Sequence, residues 1–497
     1  MHFILTSLNI IRSVDFVKTE IIKFEETKKK KEYNVKVIMA VLLFGGFLSL
    51  FNETILNVAL SKLMAEMNVT AITIQWLATG YMLIVAISVP TSAFLIHTFT
   101  TKRLYLGAMT LFLTGTVLAV FSTSFPMLLF ARMVQATGTG ILAPIMINTA
   151  LAINPREKHG FVMGICTCII LVGPSLGPIV SGTLLQFFNW KSLFIILIPM
   201  IIICMIGGAL YLKSAIDLTK PKIDYLSVLL SIIGFAGIVY GISIIGSNSN
   251  MLNIILIFTV GIIALILFSK RQLSLQQPML DIRVFKHPYF TLGAILVIVI
   301  QMVQFSMNMV LPMLLENGLK LSSLMSALVL FPAVLVCSIM TTISGKIYDK
   351  VGGKTLIPLG ILIMCIFLEI LSRIQPSTSI ITIAILNIFL YFGISLAWSP
   401  NQSNALNQIP MRNQADGVAI LNTFIQLGAA FGTPLFIGLM SAGQKGYLNN
   451  IGNLNDPKSQ VQALYSGFSY SITVAAMIIA IVFILSLSLR HKTKKYS

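Results

Sequence analysis

Glu53, Arg132 and Glu369 are the ionisable residues that lie well inside long apolar runs of this chain. Glu53 sits in FNETILNVAL, residues 51–60, with Asn52 before it and Asn57 after it. A charge at the centre of a bilayer costs at least ~2.5–3.5 kcal/mol, so such groups are paired or used. A carboxylate there can take up and release a proton, or meet a cationic solute. Arg132 brings the opposite charge in a second apolar run, and the two could form either a static buried pair or a titrating site. Glu369 has Arg373 four residues on, the spacing of an ion pair on one helix face, and reads as structural.

Elements that hold a charge in this way must cross a membrane. The chain has 497 residues, is 56% hydrophobic and only 10% charged, against roughly 25% charged in soluble domains. The net charge of +18 does not indicate nucleic acid, because the basic residues fall in short loops between apolar runs. Runs of about 20 apolar residues suffice to cross ~30 Å of hydrocarbon. Fourteen can be drawn, near 37–60, 74–97, 103–123, 126–151, 161–187, 192–212, 225–246, 251–269, 290–315, 323–345, 355–373, 378–400, 415–441 and 466–489. With the N-terminus inside, most of the 34 Lys and Arg residues fall in inner loops or tails. A missed or invented span would destroy that asymmetry. It places both termini in the cytoplasm of a multi-pass protein of the cell membrane. By the rise of a helix, Glu53 is ~24 Å and Arg132 ~21 Å above the inner side, nearly one depth.

No soluble domain of any size is visible, which argues against an enzyme or a receptor. No complete Gly-x-x-x-x-Gly-Lys-Ser/Thr phosphate loop occurs, since the Gly-Lys-Thr at 353–355 has Tyr348 where the first glycine would stand, so ATP is not the expected energy source. Cys166, Cys168, Cys204, Cys337 and Cys365 all lie in apolar segments, and neither a disulfide framework nor a metal site is expected. No cofactor is called for. The segment 1–34, with its KKKK run, reads as a cytoplasmic flank or a surface helix, and no function is placed there.

Several stretches resemble the major facilitator superfamily. ARMVQATGTGILAPI, 131–145, is similar to its fourth-span signature, carried by Arg132, Gln135, Gly138, Gly140 and Pro144, with Ala136 where glycine is usual. The family links this arginine to proton coupling. LVGPSLGPIVSG, 171–182, resembles the antiporter signature of the fifth span, with Gly173, Pro174, Gly177, Pro178 and Gly182. Glycines spaced by four let helices touch and prolines let a helix bend, which suits alternating access. FNETILNVAL is similar to the first-span motif of the fourteen-span drug:proton antiporters, with Asn52 at the usual acid position and the acid at Glu53. With QWLATGYML, 75–83, it resembles the lincomycin-type efflux pumps of Gram-positive bacteria. WKSLFIILIP, 190–199, and IPMRNQADGVAILNTFIQLGAAFG, 409–432, resemble the entries to spans 6 and 13. GKIYDKVGGK, 345–354, matches the family's loop motif through Gly345, Asp349, Lys350, Gly352 and Lys354, a cytoplasmic latch in which Asp349 would meet a base or a helix end. The first-half counterpart, 93–103, has His97 where Asp is expected.

The resemblance implies an all-α membrane protein of the major facilitator fold. Its parts would be a cytoplasmic segment 1–34, a six-helix bundle 35–212, two inserted spans 213–270, a second bundle 271–490 and a tail 491–497. It implies a proton-driven exporter of amphipathic, cationic or lipophilic drug-like compounds, acting as a monomer. Glu53 would exchange a proton for substrate while Arg132 approaches and withdraws. A dedicated exporter of one metabolite, peptide or lipid precursor is the alternative. Cavity candidates at mid-span depth are Asn57, Trp76, Tyr81, Gln135, Gln304, Asn308, Asn422 and Gln426. For Gln304 and Asn308, interhelical hydrogen bonding is the rival role.

Overall fold

A computed structural model describes residues 35–69, 71–212, 224–243, 251–275, 278, 280–451 and 457–488. The segments 1–34 and 491–497 fall outside the described residues. The described residues form helices and no strand. In lipid each backbone N–H and C=O must be satisfied within the protein, which a helix does by itself.

The helices are α1 Val35–Ile55, α2 Leu60–Glu66, α3 Ala71–Thr98, α4 Thr101–Phe121, α5 Phe125–Ile153, α6 His159–Phe187, α7 Ser192–Ile195 and α8 Leu197–Tyr211. There follow α9 Tyr225–Ser243, α10 Met251–Ser274, α11 Pro288–Gly318, α12 Ser323–Val351, α13 Gly353–Ser372, α14 Ile380–Asn407, α15 Gln414–Ile451 and α16 Pro457–Ser486. Local chemistry sets many of their starts. Thr100, Ser322 and Ser379 accept hydrogen bonds from the N–H groups of Arg103, Met325 and Thr382. Proline in the first turn opens α5 and α11, where its missing N–H costs nothing.

Among the described residues, 12 helical stretches are long and apolar enough to cross a membrane. Two of the fourteen expected spans fall outside that number. One is α3, bent by 49° between Val89 and Thr91; the other is α9, whose apolar part covers only Tyr225–Ile238. Two boundaries differ in kind. The first span is broken: α1 stops at Ile55, a tight turn Asn57–Ala59 follows, and α2 continues outward. The thirteenth runs to Ile451, well past the expected 441, because hydropathy marks where lipid ends and not where a helix does.

In the first half α1 packs against α5, α6 and α8, and α5 also packs on α3 and α4. In the second half α11 packs on α15, α12 on α14, and α13 on α14 and α16. The halves meet where α6 lies against α12 and α14, and where α3 lies against α15. The pair α9–α10 stands beside this seam, with α9 touching α3 and α15. The outer side of α10 shows Leu252, Ile255, Leu256 and Ile263 to the surroundings, as a lipid-facing helix should. A largely apolar groove of about 530 Å³ runs between α3, α9 and α10, past Leu83, Ile233, Tyr240 and Val260. The face carrying the Lys/Arg-rich loops is called the inner face below.

Candidate functional site

The break in the first span creates the site. A helix end leaves its last four carbonyls without partners in the helix, and for α1 these begin at Asn52. Arg132, fully buried on α5, takes up two of them. Its Nη1 donates to Asn52 O at 3.0 Å and its Nη2 to Glu53 O at 3.3 Å. Positive charge at the negative end of a helix is favourable. Nη1 also donates to Gln135 Oε1 at 3.2 Å, one turn along α5. The guanidinium lies 4.0 Å over the Tyr81 ring, a cation–π contact. Gln135 donates to Thr116 Oγ1 at 2.9 Å, Asn52 donates to Tyr81 OH and Gln135 Oε1, and Tyr81 OH pairs with Thr139 Oγ1 at 2.6 Å. A desolvated guanidinium is tolerable only with such a shell.

Of the two readings left open for Glu53 and Arg132, a static charge pair is not what the geometry shows. Spans 1 and 4 are neighbours and bring Glu53 and Arg132 together, yet Arg132 grips the main chain of residue 53 and not its carboxylate. No ion pair to Glu53 occurs among the described residues. Glu53 is buried, with 8% of its surface exposed. Its carboxyl group is therefore the ionisable group of the site that has no ion-pair partner among the described residues.

The antiporter stretch lies directly behind it. Gly173 and Gly177 on α6 face α1 so closely that a Cβ on Gly173 would stand 3.1 Å from Leu50, and one on Gly177 would collide with the Thr54 hydroxyl. Thr54 Oγ1 donates to Pro174 O at 2.7 Å. Farther out, Lys62 Nζ donates to Leu185 O at 2.8 Å and Trp190 Nε1 to Glu66 Oε2 at 2.9 Å, so α2 is tied to the outer end of α6. Gly182 faces open space.

At the inner face the latch motif is closed on a helix end. Asp349 accepts from Gly160 N at 2.7 Å and from Phe161 N at 2.9 Å, both in the first turn of α6. Gly345 and Gly160 sit backbone against backbone, where a Cβ would not fit. Gly352 has φ 81°, which glycine adopts freely, and turns the chain from α12 into α13. Lys350 and Lys354 are exposed and take no part in these contacts. Ser399 and Ser403 on α14 donate to the carbonyls of Gly160 and His159, and His159 Nδ1 lies 3.3 Å from Asn407 Oδ1. The first-half counterpart is built differently: His97 Nε2 lies 3.6 Å from Asp416 Oδ2 at the start of α15.

The cavity candidates separate. Tyr81 and Gln135 belong to the Arg132 shell. Asn57 is exposed in the turn beyond the break. Trp76 leans on Tyr240 of α9, with ring centroids 5.6 Å apart. In the second half Asn308 is exposed and also accepts from Tyr391 OH at 2.5 Å, so lining and interhelical bonding coexist there. Gln304 is buried with Oε1 unpartnered. Asn422 is buried and turns its amide back to Val418 O, while Gln426 is half-buried. Glu369 and Arg373 form the exposed i,i+4 pair expected of them, at 2.7 Å.

Sequence reasoning missed Thr54, Thr116, Thr139, His159, Tyr391, Asn407 and Asp416. For Thr54 a signal existed: a hydroxyl beside the intramembrane acid. Thr116 and Thr139 look like any helix threonine, which usually bonds its own backbone.

The profile of the Major Facilitator Superfamily matches residues 42–433. The chain is 41% identical to the lincomycin resistance protein LmrB of Bacillus subtilis over 458 residues, 92% of this chain and 95% of that one. It is 39% identical to LmrB of Listeria innocua, over 91% and 96% of the two chains. In fold it resembles the crystal structure of the human organic anion transporter MFSD10, with a TM-score of 0.64 at 10% identity, covering 92% of this chain and all of that one.

Proposed function

Because the chain belongs to the major facilitator superfamily, we propose that it is a proton-coupled exporter of amphipathic or lipophilic drug-like compounds. The observation that carries this reading is the buried Glu53 carboxylate, which has no ion-pair partner among the described residues and lies where α1 breaks. A carboxylate of this kind can hold a proton or face a cationic solute, but not both at once. Neutral polar groups, Asn308 and Gln304, come from the other half. The relatives' name makes lincomycin the first compound to try.

In this reading the protein resides in the plasma membrane with both termini in the cytoplasm, works as a monomer and catalyses no covalent reaction. The bundles are 35–212 and 271–490, with 213–270 inserted between them. The closed inner face, latched by Asp349 on α6, belongs to the outward-facing stage of the cycle.

The test is export of ethidium and lincomycin from cells making wild type or Glu53→Gln at matched levels, with and without a protonophore. Wild type should export both, and the protonophore and Glu53→Gln should each reduce export to background. Protonophore-sensitive export by Glu53→Gln would move the coupling group elsewhere. Export indifferent to the protonophore would end the proton-coupled reading.

A further inference from the structure

A proline inside a helix leaves one carbonyl a turn earlier without its donor. Pro178 has no N–H to give to the carbonyl of Pro174, in the middle of α6. That oxygen is met from outside the helix by the hydroxyl of Thr54, 2.7 Å away. Thr54 is the residue next to Glu53, in the last turn of α1. The contact requires the backbones to approach closely, and Gly177 allows it: any side chain there would occupy the place of the Thr54 hydroxyl.

From these contacts we infer that Thr54 is a positioning residue for proton-coupled export, the pin that joins the Glu53 site to the proline hinge of α6. The inference rests on the reading of Glu53 as the coupling acid. On one side of the pin, the main chain of residues 52 and 53 is held by Arg132. On the other, α6 is weakened at Pro174 and Pro178. Lys62 and Glu66, bound to Leu185 O and Trp190, make the outer part of the first span travel with the outer part of α6. A displacement of residues 52–54 when Glu53 changes partner therefore reaches α6 at its bend. The inner end of α6 carries the Asp349 latch, so bending α6 changes how its two ends stand to one another.

A double-mutant cycle tests this on the full-length protein in everted membrane vesicles. Ethidium transport and ethidium-driven proton movement are followed from pH 6 to 8. Thr54→Val keeps the side chain's shape and removes the donor. Thr54→Ser keeps the donor. Pro178→Ala restores an N–H to the Pro174 carbonyl and so removes the need for Thr54. We expect Thr54→Val to slow coupled transport at least about fivefold, the order of effect of one unsatisfied, partly buried carbonyl, and to displace its pH profile. Thr54→Ser should restore both rate and profile. Pro178→Ala should be impaired by itself, and adding Thr54→Val to it should cost nothing more.

Wild-type rate and profile in Thr54→Val would overturn the inference. So would an equal loss from Thr54→Val in both backgrounds. If Thr54→Val is not recovered in the membrane, Thr54→Ala and Thr54→Ser run the same comparison. Transport by wild type that ignores the protonophore overturns the underlying reading together with this one. Protonophore-sensitive transport with an additive cycle overturns the pin alone.

Discussion

The guanidinium of Arg132 meets two carbonyl oxygens and one amide oxygen, with the Tyr81 ring beneath it. That arrangement uses the planar fork of arginine, which lysine lacks. Arg132→Lys keeps the charge but offers a point with three donors and no face for the ring. It should leave at least one carbonyl of α1 unsatisfied, at about 1–3 kcal/mol. Transport should fall at least about tenfold, with a lower thermal midpoint in detergent. Wild-type export by Arg132→Lys would mean that charge alone is required. Glu53 and Arg132 were legible because charge inside an apolar run is rare, whereas Tyr81 and Gln135 had been marked only as cavity candidates and Asp349 only by its loop motif. What Arg132 holds was not legible, since its partners are main-chain oxygens, identical at every residue. The break at Leu56 that exposes them has no proline or glycine to announce it.

At the scale of elements, two helix ends carry the argument: the broken end of α1, capped by Arg132, and the start of α6, capped by Asp349. The sequence motif pointed to a helix end or a base for Asp349, and the helix end is what it meets. The partner could not be read from sequence, because Gly160 and Phe161 offer only backbone. Asp349→Ala leaves two N–H groups of α6 without their acceptor, a loss in the range of about 0.5–2 kcal/mol for a missing cap. The latch also holds the halves together, so the loss should open the inner face. Cys337 on α12 is fully buried beside Cys168 of α6 and reports on that seam. Its maleimide labelling should quicken about 2–30-fold in Asp349→Ala, less in Asp349→Asn, which keeps one acceptor. Unchanged labelling would show that the glycine contact of Gly345 and Gly160 closes the seam by itself.

For the whole molecule, the question is what the pair α9–α10 contributes. It was legible as two apolar runs between two bundles, but not its attachment. A line of polar contacts joins it to the seam. Asp224, just before α9, is held by Arg271 at 2.6 and 2.9 Å. Gln272 bonds Ser227 and accepts from Leu280 N. Asp281 N donates to Asp416, which faces His97 of α3. The hydrogen bonds from Arg271 hold the Asp224 carboxyl down at about 2, below the ordinary carboxylate range. A group depressed on folding stabilises fully above its unfolded value, near ~3.9, and loses that contribution as pH falls toward the folded one. Asp224 thus stays charged across the whole range in which transport is measured. Asp224→Asn should lower the thermal midpoint by the same small amount from pH 8 to pH 5, since the pair is only half-buried and solvent screens it. The difference from wild type should shrink only below about pH 4, and the pH profile of export should keep its shape. A displaced export profile would instead make Asp224 part of the proton path, and the inserted pair part of the transport machinery rather than a brace for the seam between α3 and α15.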